Sequence, residues 1–527
     1  MTTQQYSDES PHKINIISFN CWGLKYISKF RRERLLEIGK RLANADFPPE
    51  IVGLQECWTQ EDYNAIRNET RHILPYGKFY HSGIFGGGLA ILSKWPIEES
   101  SMFQYPLNGR PTAFFRGDWF VGKGVAYARI RIGPGSKDVA AVFCTHLHAP
   151  YEREPNDSYI CHRTAQAWEI AKLMRGAAER GHLVIGLGDF NMLPLSFAHR
   201  LITAHAPVTD VWRYLRPESS IGAAIDDAEI ARNKPIPSAD FNILENGATC
   251  DGAFNTWRWS KEDQKRLARE GHISVDGSLP DPYAKRLDYI FVGNGSYLNH
   301  TDDAAPSSSS SWKWNIHSAR VGMMERHPTL HCSLSDHFSV EATVVRAHPP
   351  VYRTERKPSS DADDDENAPS LYLPIQSHTG PNTAINDYAI LRQTSNLPPE
   401  ATKQPVPALS ADVYDDILDM ISVYMVRERF QRRARLGHFL ISIAVSIGCF
   451  IGTWWTPRPF VAFILCLVST LSLSAGVIDG LIGGLFVSSE IRALKEFQWE
   501  IKNTRRTVLG LGLDIEEDLR SPKKSAH

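Results

Sequence analysis

The chain is poor in patterned cysteine. Its 8 cysteines are scattered over 527 residues and no two form a CxxC pair. That excludes a zinc ribbon or thioredoxin-type motif and argues against a disulfide framework, so reduced, mostly buried thiols are expected. Neither sign of charge is in surplus. The formal net charge is −2, without the basic field on which duplex DNA binding draws, and no nucleic-acid partner is expected. The opening residues, MTTQQYSDESPHK, lack the apolar core of a secretory signal. A phosphate-binding loop is missing too. The stretch GDWFVGKG ends in Gly124, where a nucleotide-binding loop needs a magnesium-binding hydroxyl.

Residues 13–346 read as one globular unit. β-Branched runs recur as INIISF, EIVGLQ, LAILS, DVAAVFC, LVIGLGDF, RLDYIFV and HFSVEATVV, and helical patterns such as RRERLLEIGKRLANA lie between several of them. Strands interleaved with helices indicate an α/β or α+β layered domain. Residues 294–333, with the run Ser307 to Ser311, read as a long loop before the last strand. Residues 347–410 are rich in Pro, Ser, Asp and Asn, a composition too polar to bury a core, and are expected to be a disordered linker. Within it Pro349-Pro350-Val351-Tyr352 fits a WW-domain ligand, or is simply linker proline.

A juxtamembrane helix is expected over 411–436. Two apolar runs follow within 437–487, Gly437 to Trp455 and Phe460 to Val487, joined by TPRP. Each approaches the roughly 20 residues that span a bilayer, so a transmembrane helical hairpin is expected; a buried hairpin of a soluble protein is the alternative. Arg427, Arg429, Arg432, Arg433 and Arg435 precede the first run, and Arg492, Lys495, Lys502, Arg505 and Arg506 follow the second, in a basic tail over 488–527. The positive-inside rule puts both flanks and the N-terminal domain in the cytosol. The sequons at Asn68, Asn156, Asn294 and Asn299 are then expected to be unused. Gly448/Gly452 and Gly476/Gly480/Gly484 have the spacing of close helix packing, and Asp479 is an acid within or at the edge of the second run.

Acid, amide and imidazole side chains end several strand-like runs: Asn20, Glu56, His146, Asp189 with Asn191, Asp288, and Asp336 beside His337. Singly, each is an ordinary turn or core residue. Together they indicate one shared polar site. Hard oxygen donors suit Mg²⁺, and carboxylates, amides and two histidines supply what phosphodiester hydrolysis needs.

NCWG, LQECW, THLHAPY, GDFN, RLDYIF and SDHFSV, in that order, resemble the endonuclease/exonuclease/phosphatase superfamily. The resemblance implies a deoxyribonuclease I-like fold, a two-layer β-sandwich flanked by helices. NCWGLKY, GGGLAILSKWPI, GATCDGAFNTW and the paired apolar runs further resemble the family of neutral sphingomyelinases and fungal inositol phosphosphingolipid phospholipases C. That likeness implies a membrane phosphosphingolipid substrate, Mg²⁺, and activation by anionic phospholipids, on an endoplasmic-reticulum or mitochondrial membrane. It implies Glu56 as principal metal ligand with Asn20 beside it and Asp336 near the metal. It implies Asp189 and Asn191 as the pair positioning nucleophile and phosphate, and Asp288 as the acid orienting a histidine. It implies His337 as the general base, oriented by Asp288, and His146 as stabiliser of the phosphoryl charge or leaving oxygen, the reverse split of base and acid between the two histidines staying open. In the same likeness Asp118 and Lys123 form a switch, and an ion pair between them could hold a loop in one of two states. The alternative is a surface turn with a charge pair. Phe114, Phe115, Trp119 and Phe120 beside them touch either lipid or core. A nuclease, an inositol-phosphate phosphatase and a noncatalytic membrane scaffold are the rival functions.

Overall fold

A computed structural model describes residues 10–152, 157–295, 313–347 and 409–511. The expected linker, with Pro349 to Tyr352, falls outside the described residues apart from its ends, as do Asn156, Asn299 and Ser307 to Ser311.

Twelve strands form among the described residues: β1 (Lys13–Asn20), β2 (Ile51–Gln55), β3 (Tyr76–Tyr80), β4 (Leu89–Ser93), β5 (Ile97–Gln104), β6 (Gly124–Arg131), β7 (Val139–His146), β8 (Leu183–Asp189), β9 (Thr209–Asp210), β10 (Asp288–Gly293), β11 (Lys313–Gly322) and β12 (Ser339–Ala347). They make two six-stranded sheets, ordered β11-β12-β1-β2-β4-β3 and β5-β6-β7-β8-β10-β9. β1 with β2, and β7 with β8, run parallel; the other neighbours are antiparallel.

The central strands are apolar on both faces because both are covered. In β1, Ile14 and Ile16 enter the core between the sheets, while Ile17 and Phe19 turn outward, the period of two that a pleated strand imposes. The outward set meets Leu35, Ile38 and Leu42 of α1 (Arg31–Ala43) and Ile66 of α2 (Gln60–Thr70). On the second sheet, Val142 and Ile185 face inward, and Phe143 and Val184 pack on α4 (Ile160–Glu179) and α5 (Phe197–His205). Gly53 permits this close approach: a Cβ there would stand 1.8 Å from a Leu187 methyl of the opposite sheet. The result is the helix-flanked two-layer sandwich expected above.

One expectation is corrected. Residues 294–333 are not all loop, because Lys313–Gly322 forms β11 and pairs with β12 from Lys313↔Ala347 to Gly322↔Ser339. It is an edge strand, largely exposed; such a strand needs no apolar run and leaves no pattern to read.

At the C-terminus one helix, Ala411–Gly452, carries both the juxtamembrane stretch and the first apolar run. Pro459–Leu481 carries the second, and Val487–Val508 continues as helix through the basic stretch. Two helices are therefore long and apolar enough to cross a membrane, and only 11 % of each apolar window is buried, which counts against the buried soluble hairpin. Gly476 and Gly480 let the helices touch: a Cβ on either would meet Ser442 at 2.4 Å or Phe439 at 2.9 Å. Gly448 has nothing within 4 Å and plays no such part. Asp479 is met by Arg435 and, at 2.7 Å, by His438 Nδ1.

Beyond the apolar runs both helices dock on the helix-flanked sandwich. Tyr414, Ile417, Ile421, Leu494, Phe497 and Ile501 share one core with Leu107, Cys161, Trp168 and Leu201. Glu500 accepts from Trp168 and Lys172, and Tyr414 Oη lies 2.8 Å from His205 Nε2.

Candidate active site

Strand register builds the site. His146 ends β7 and Asp189 ends β8, paired in parallel; Asp288 opens β10 directly opposite Asp189. Three candidate site residues thus sit in one row across the second sheet. In the other sheet Asn20 ends β1 opposite Gln55, and Glu56 follows it. Both parallel pairs end at the same edge of the sandwich, so residues from distant segments converge.

Asp189 is the hub. Its Oδ2 accepts from Asn20 Nδ2 at 3.0 Å and lies 3.5 Å from His146 Nε2 and 3.9 Å from His337 Nε2. Its Oδ1 accepts from the Asn191 backbone N–H at 2.9 Å. Asn20 Nδ2 also reaches Glu56 Oε1 at 3.3 Å, and His337 Nδ1 meets Asp288 Oδ2 at 2.8 Å. Asn191 Nδ2 and Lys123 Nζ both donate to the Leu147 carbonyl, at 3.2 and 3.1 Å. Asp336 is half-buried beside this group, and its carboxyl is raised to about 6, mainly by burial, with His337 opposing and Glu56 reinforcing the rise. The expected site residues are therefore contiguous, and Glu56 and Asn191 hold strained backbone, φ +53° and +45°.

Asp118 and Lys123 do not form the expected ion pair. Asp118 Oδ2 accepts instead from Tyr151 Oη at 2.6 Å, while the buried lysine points to Leu147. Burial lowers its ammonium below the ordinary range, against the pull of Asp118, Asp189 and Glu56. The phenol competes for the aspartate, and the lysine turns toward the site. Phe114 and Phe115 are 51 % and 76 % exposed, so they are not core.

The two histidines differ. Burial lowers His146 well below its ordinary value, with Lys123 and His337 adding to the fall. Burial also disfavours charge on His337, but Asp288, Cys250 and Asp189 outweigh it and raise that imidazole well above its ordinary value. A carboxylate accepts only, so Asp288 binds the Nδ1–H tautomer and leaves Nε2 to take a proton.

Sequence reasoning did not find the supports. Buried Arg34 of α1 donates to the carbonyls of Cys21, Trp22, Lys29 and Leu334. Ser335 Oγ donates to Asn20 O at 2.6 Å and accepts from His337 N–H. Cys250 bridges His337 through the backbone. A charged residue inside an amphipathic helix carried the only available signal, and α1 reads equally well with Arg34 on its solvent side.

Asp189, Asp288 and His337 bring ligand atoms within 4.8 Å of one another and could hold a metal ion. Asp288 Oδ2 there already bonds His337 Nδ1, while Asp288 Oδ1 and the buried Glu56 Oε2 have no hydrogen-bond partner among the described residues. An orphaned carboxylate oxygen in strained backbone, beside an amide, suits a hard cation.

The profile of the Endonuclease/Exonuclease/phosphatase family matches residues 17–337. The chain belongs to this family. It is 36 % identical to the inositol phosphosphingolipids phospholipase C of Schizosaccharomyces pombe over 95 % of this chain and 96 % of that protein. The protein of the same name in Saccharomyces cerevisiae is 31 % identical over 94 % and 91 %. Human sphingomyelin phosphodiesterase 2 is 27 % identical over 68 % and 70 %. As a family member with such relatives along nearly its whole length, the chain is a phosphoric diester hydrolase.

Proposed function

We propose that the protein hydrolyses phosphosphingolipids, inositol phosphoceramide or sphingomyelin, in the manner of a phospholipase C, releasing ceramide and a phosphorylated headgroup with Mg²⁺. The observation that carries this is the convergence of Glu56, Asn20, Asp189, His146, His337 and Asp288 in one polar group, hydrogen-bonded from Glu56 through Asn20 to Asp189 and from His337 to Asp288, with the two imidazoles 3.5 and 3.9 Å from Asp189, on a chain with two membrane-length apolar helices. The relatives, named for these lipids, support the substrate class.

His337 is the general base. Asp288 holds its Nδ1–H, so Nε2 faces Asp189 and the shared site, and the deprotonated imidazole takes a proton from water there. His146, kept neutral by burial and lacking a carboxylate on Nδ1, acts on the phosphoryl or leaving oxygen. Asp189 and Asn191 position water and phosphate. Glu56, with Asn20 and Asp336, would hold Mg²⁺, which when bound neutralises phosphoryl charge. Lys123, aimed into the site, adds a positive charge near Asp189.

The apolar helices hold the enzyme at its substrate, the catalytic unit facing the cytosol of an endoplasmic-reticulum or mitochondrial membrane. Their basic flanks draw anionic phospholipids at about 1 kcal/mol per charge. The test is a panel of inositol phosphoceramide, sphingomyelin, phosphatidylcholine and DNA, each with Mg²⁺ or with EDTA. Ceramide release confined to the Mg²⁺ samples is expected; cleavage of DNA or phosphatidylcholine instead overturns the assignment.

A further inference from the structure

Two loops of the catalytic unit reach the end of the second apolar helix. The turn Pro111–Arg116 packs against Ile482–Phe486, the last turn of that apolar run. The helix α3 (Asp118–Val121) follows it, and the Trp119 and Phe486 rings lie 4.4 Å apart. Trp119 stands edge-on to Phe120 at 5.2 Å, and Phe120 meets Phe85 at 5.6 Å. The Phe120 carbonyl accepts from the N–H groups of Ile84 and Phe85 at 2.9 and 3.2 Å, tying the β3–β4 loop to α3. A cavity of about 350 Å³, walled by Ile84, Trp119, Phe120 and Phe486, lies at this junction.

The ring series starts inside the apolar run and ends on exposed apolar side chains. Ile84 is 74 %, Phe85 62 %, Phe114 51 % and Phe115 76 % exposed. Isolated exposed apolar residues need no explanation; two exposed apolar pairs on the two loops that meet at α3 do. The membrane boundary is marked here by the change from Phe486 and Val487 to Ser488, Ser489 and Glu490. Aromatic side chains favour that depth, with apolar bodies in the acyl region and edges among headgroups. Docking of both long helices through Tyr414, Ile417, Leu494 and Phe497 holds the loops at that level.

We infer that Ile84, Phe85, Phe114 and Phe115 form a second membrane contact, inserted into the leaflet that surrounds the cytosolic ends of the spans. The catalytic unit is thus seated on the bilayer rather than swinging above it on the hairpin. This contact rests on reading the two apolar helices as spans, and it is independent of which headgroup is cleaved.

The test uses the full chain in phosphatidylcholine/phosphatidylglycerol vesicles carrying an alkyne-tagged phospholipid. Phe85 or Phe115 is replaced singly by p-benzoylphenylalanine, an aromatic for an aromatic. Ile236 and Leu279, 55 % and 58 % exposed, serve as comparison positions. Irradiation is expected to give lipid adducts at 85 and 115 at least about five-fold above those at 236 and 279. Equal labelling at all four positions overturns the contact. So does cross-linking of 85 and 115 to protein alone, which would show that another segment or a second copy covers the patch.

Discussion

His337 and Asp288 form the contact on which the proposed chemistry turns, at 2.8 Å and fully enclosed. Removing the imidazole in His337→Ala is expected to lower kcat about 10²- to 10⁴-fold while vesicle binding stays unchanged; retained turnover would assign the base elsewhere. Asp288→Asn is expected to lose less and to move the acid limb of the kcat/KM profile toward lower pH. Asp288 is the first of the groups that raise the His337 imidazole against burial, and an amide withdraws that support. An unmoved limb would separate Asp288 from the histidine. Glu56→Gln is expected to raise the Mg²⁺ concentration giving half-maximal rate, because Glu56 Oε2 has no protein partner among the described residues. An unchanged Mg²⁺ titration would move the ion to the Asp189–Asp288–His337 group.

Among elements, the seam between the docked helices and α4 carries an unusual pair of acids. Glu428 and Glu490 are buried, with Tyr424 Oη donating to Glu490 at 2.7 Å, His162 Nε2 at 3.2 Å, and Arg427 bonded to Glu428. Burial first, then Glu490, pushes Glu428 up to about 8; burial pushes Glu490 up to about 7, against Tyr424, Glu428 and Arg110. Both lie outside the apolar runs. The folded state therefore holds protons that the unfolded chain releases above its ordinary carboxyl value of 4.5. The pair's own contribution to stability falls as pH rises from there through about 8, while the adjoining His162, lowered to about 4 by burial, opposes it below its ordinary value of 6.5. Hydrogen exchange over Val487–Val508, corrected for intrinsic rate, is expected to be faster at about pH 8.5 than at about pH 5.5. Glu428→Gln should flatten the difference; an identical slope in that variant would acquit the pair.

For the whole molecule, the two long helices continue past their apolar runs into a core shared with α4 and α5. Full-length protein on vesicles with anionic lipid is expected to turn over faster than on neutral vesicles, and to lose that advantage as salt screens the basic flanks. No difference removes the anionic-lipid activation. Glycan on Asn68 or Asn294 in native protein would reverse the topology.

Much of this was legible in sequence for physical reasons. β1, β2, β4, β7, β8, β10 and β12 are covered and hence apolar, and two runs of membrane length declare themselves by composition. β5 and β11 were illegible because their side chains are largely exposed. The catalytic candidates could be named because polar groups at the ends of buried strands are conspicuous. Their supports could not: Ser335 lies 315 residues from Asn20, and Arg34 lies 300 from Leu334. Local composition thus determined which segments must be covered and which polar side chains end them, since hydropathy and ionisable chemistry belong to single residues. Only the tertiary structure decided that Asp118 binds Tyr151 rather than Lys123, and that the helices dock on α4. Such choices are competitions between partners distant in the chain, settled by which of them the fold brings within hydrogen-bond reach.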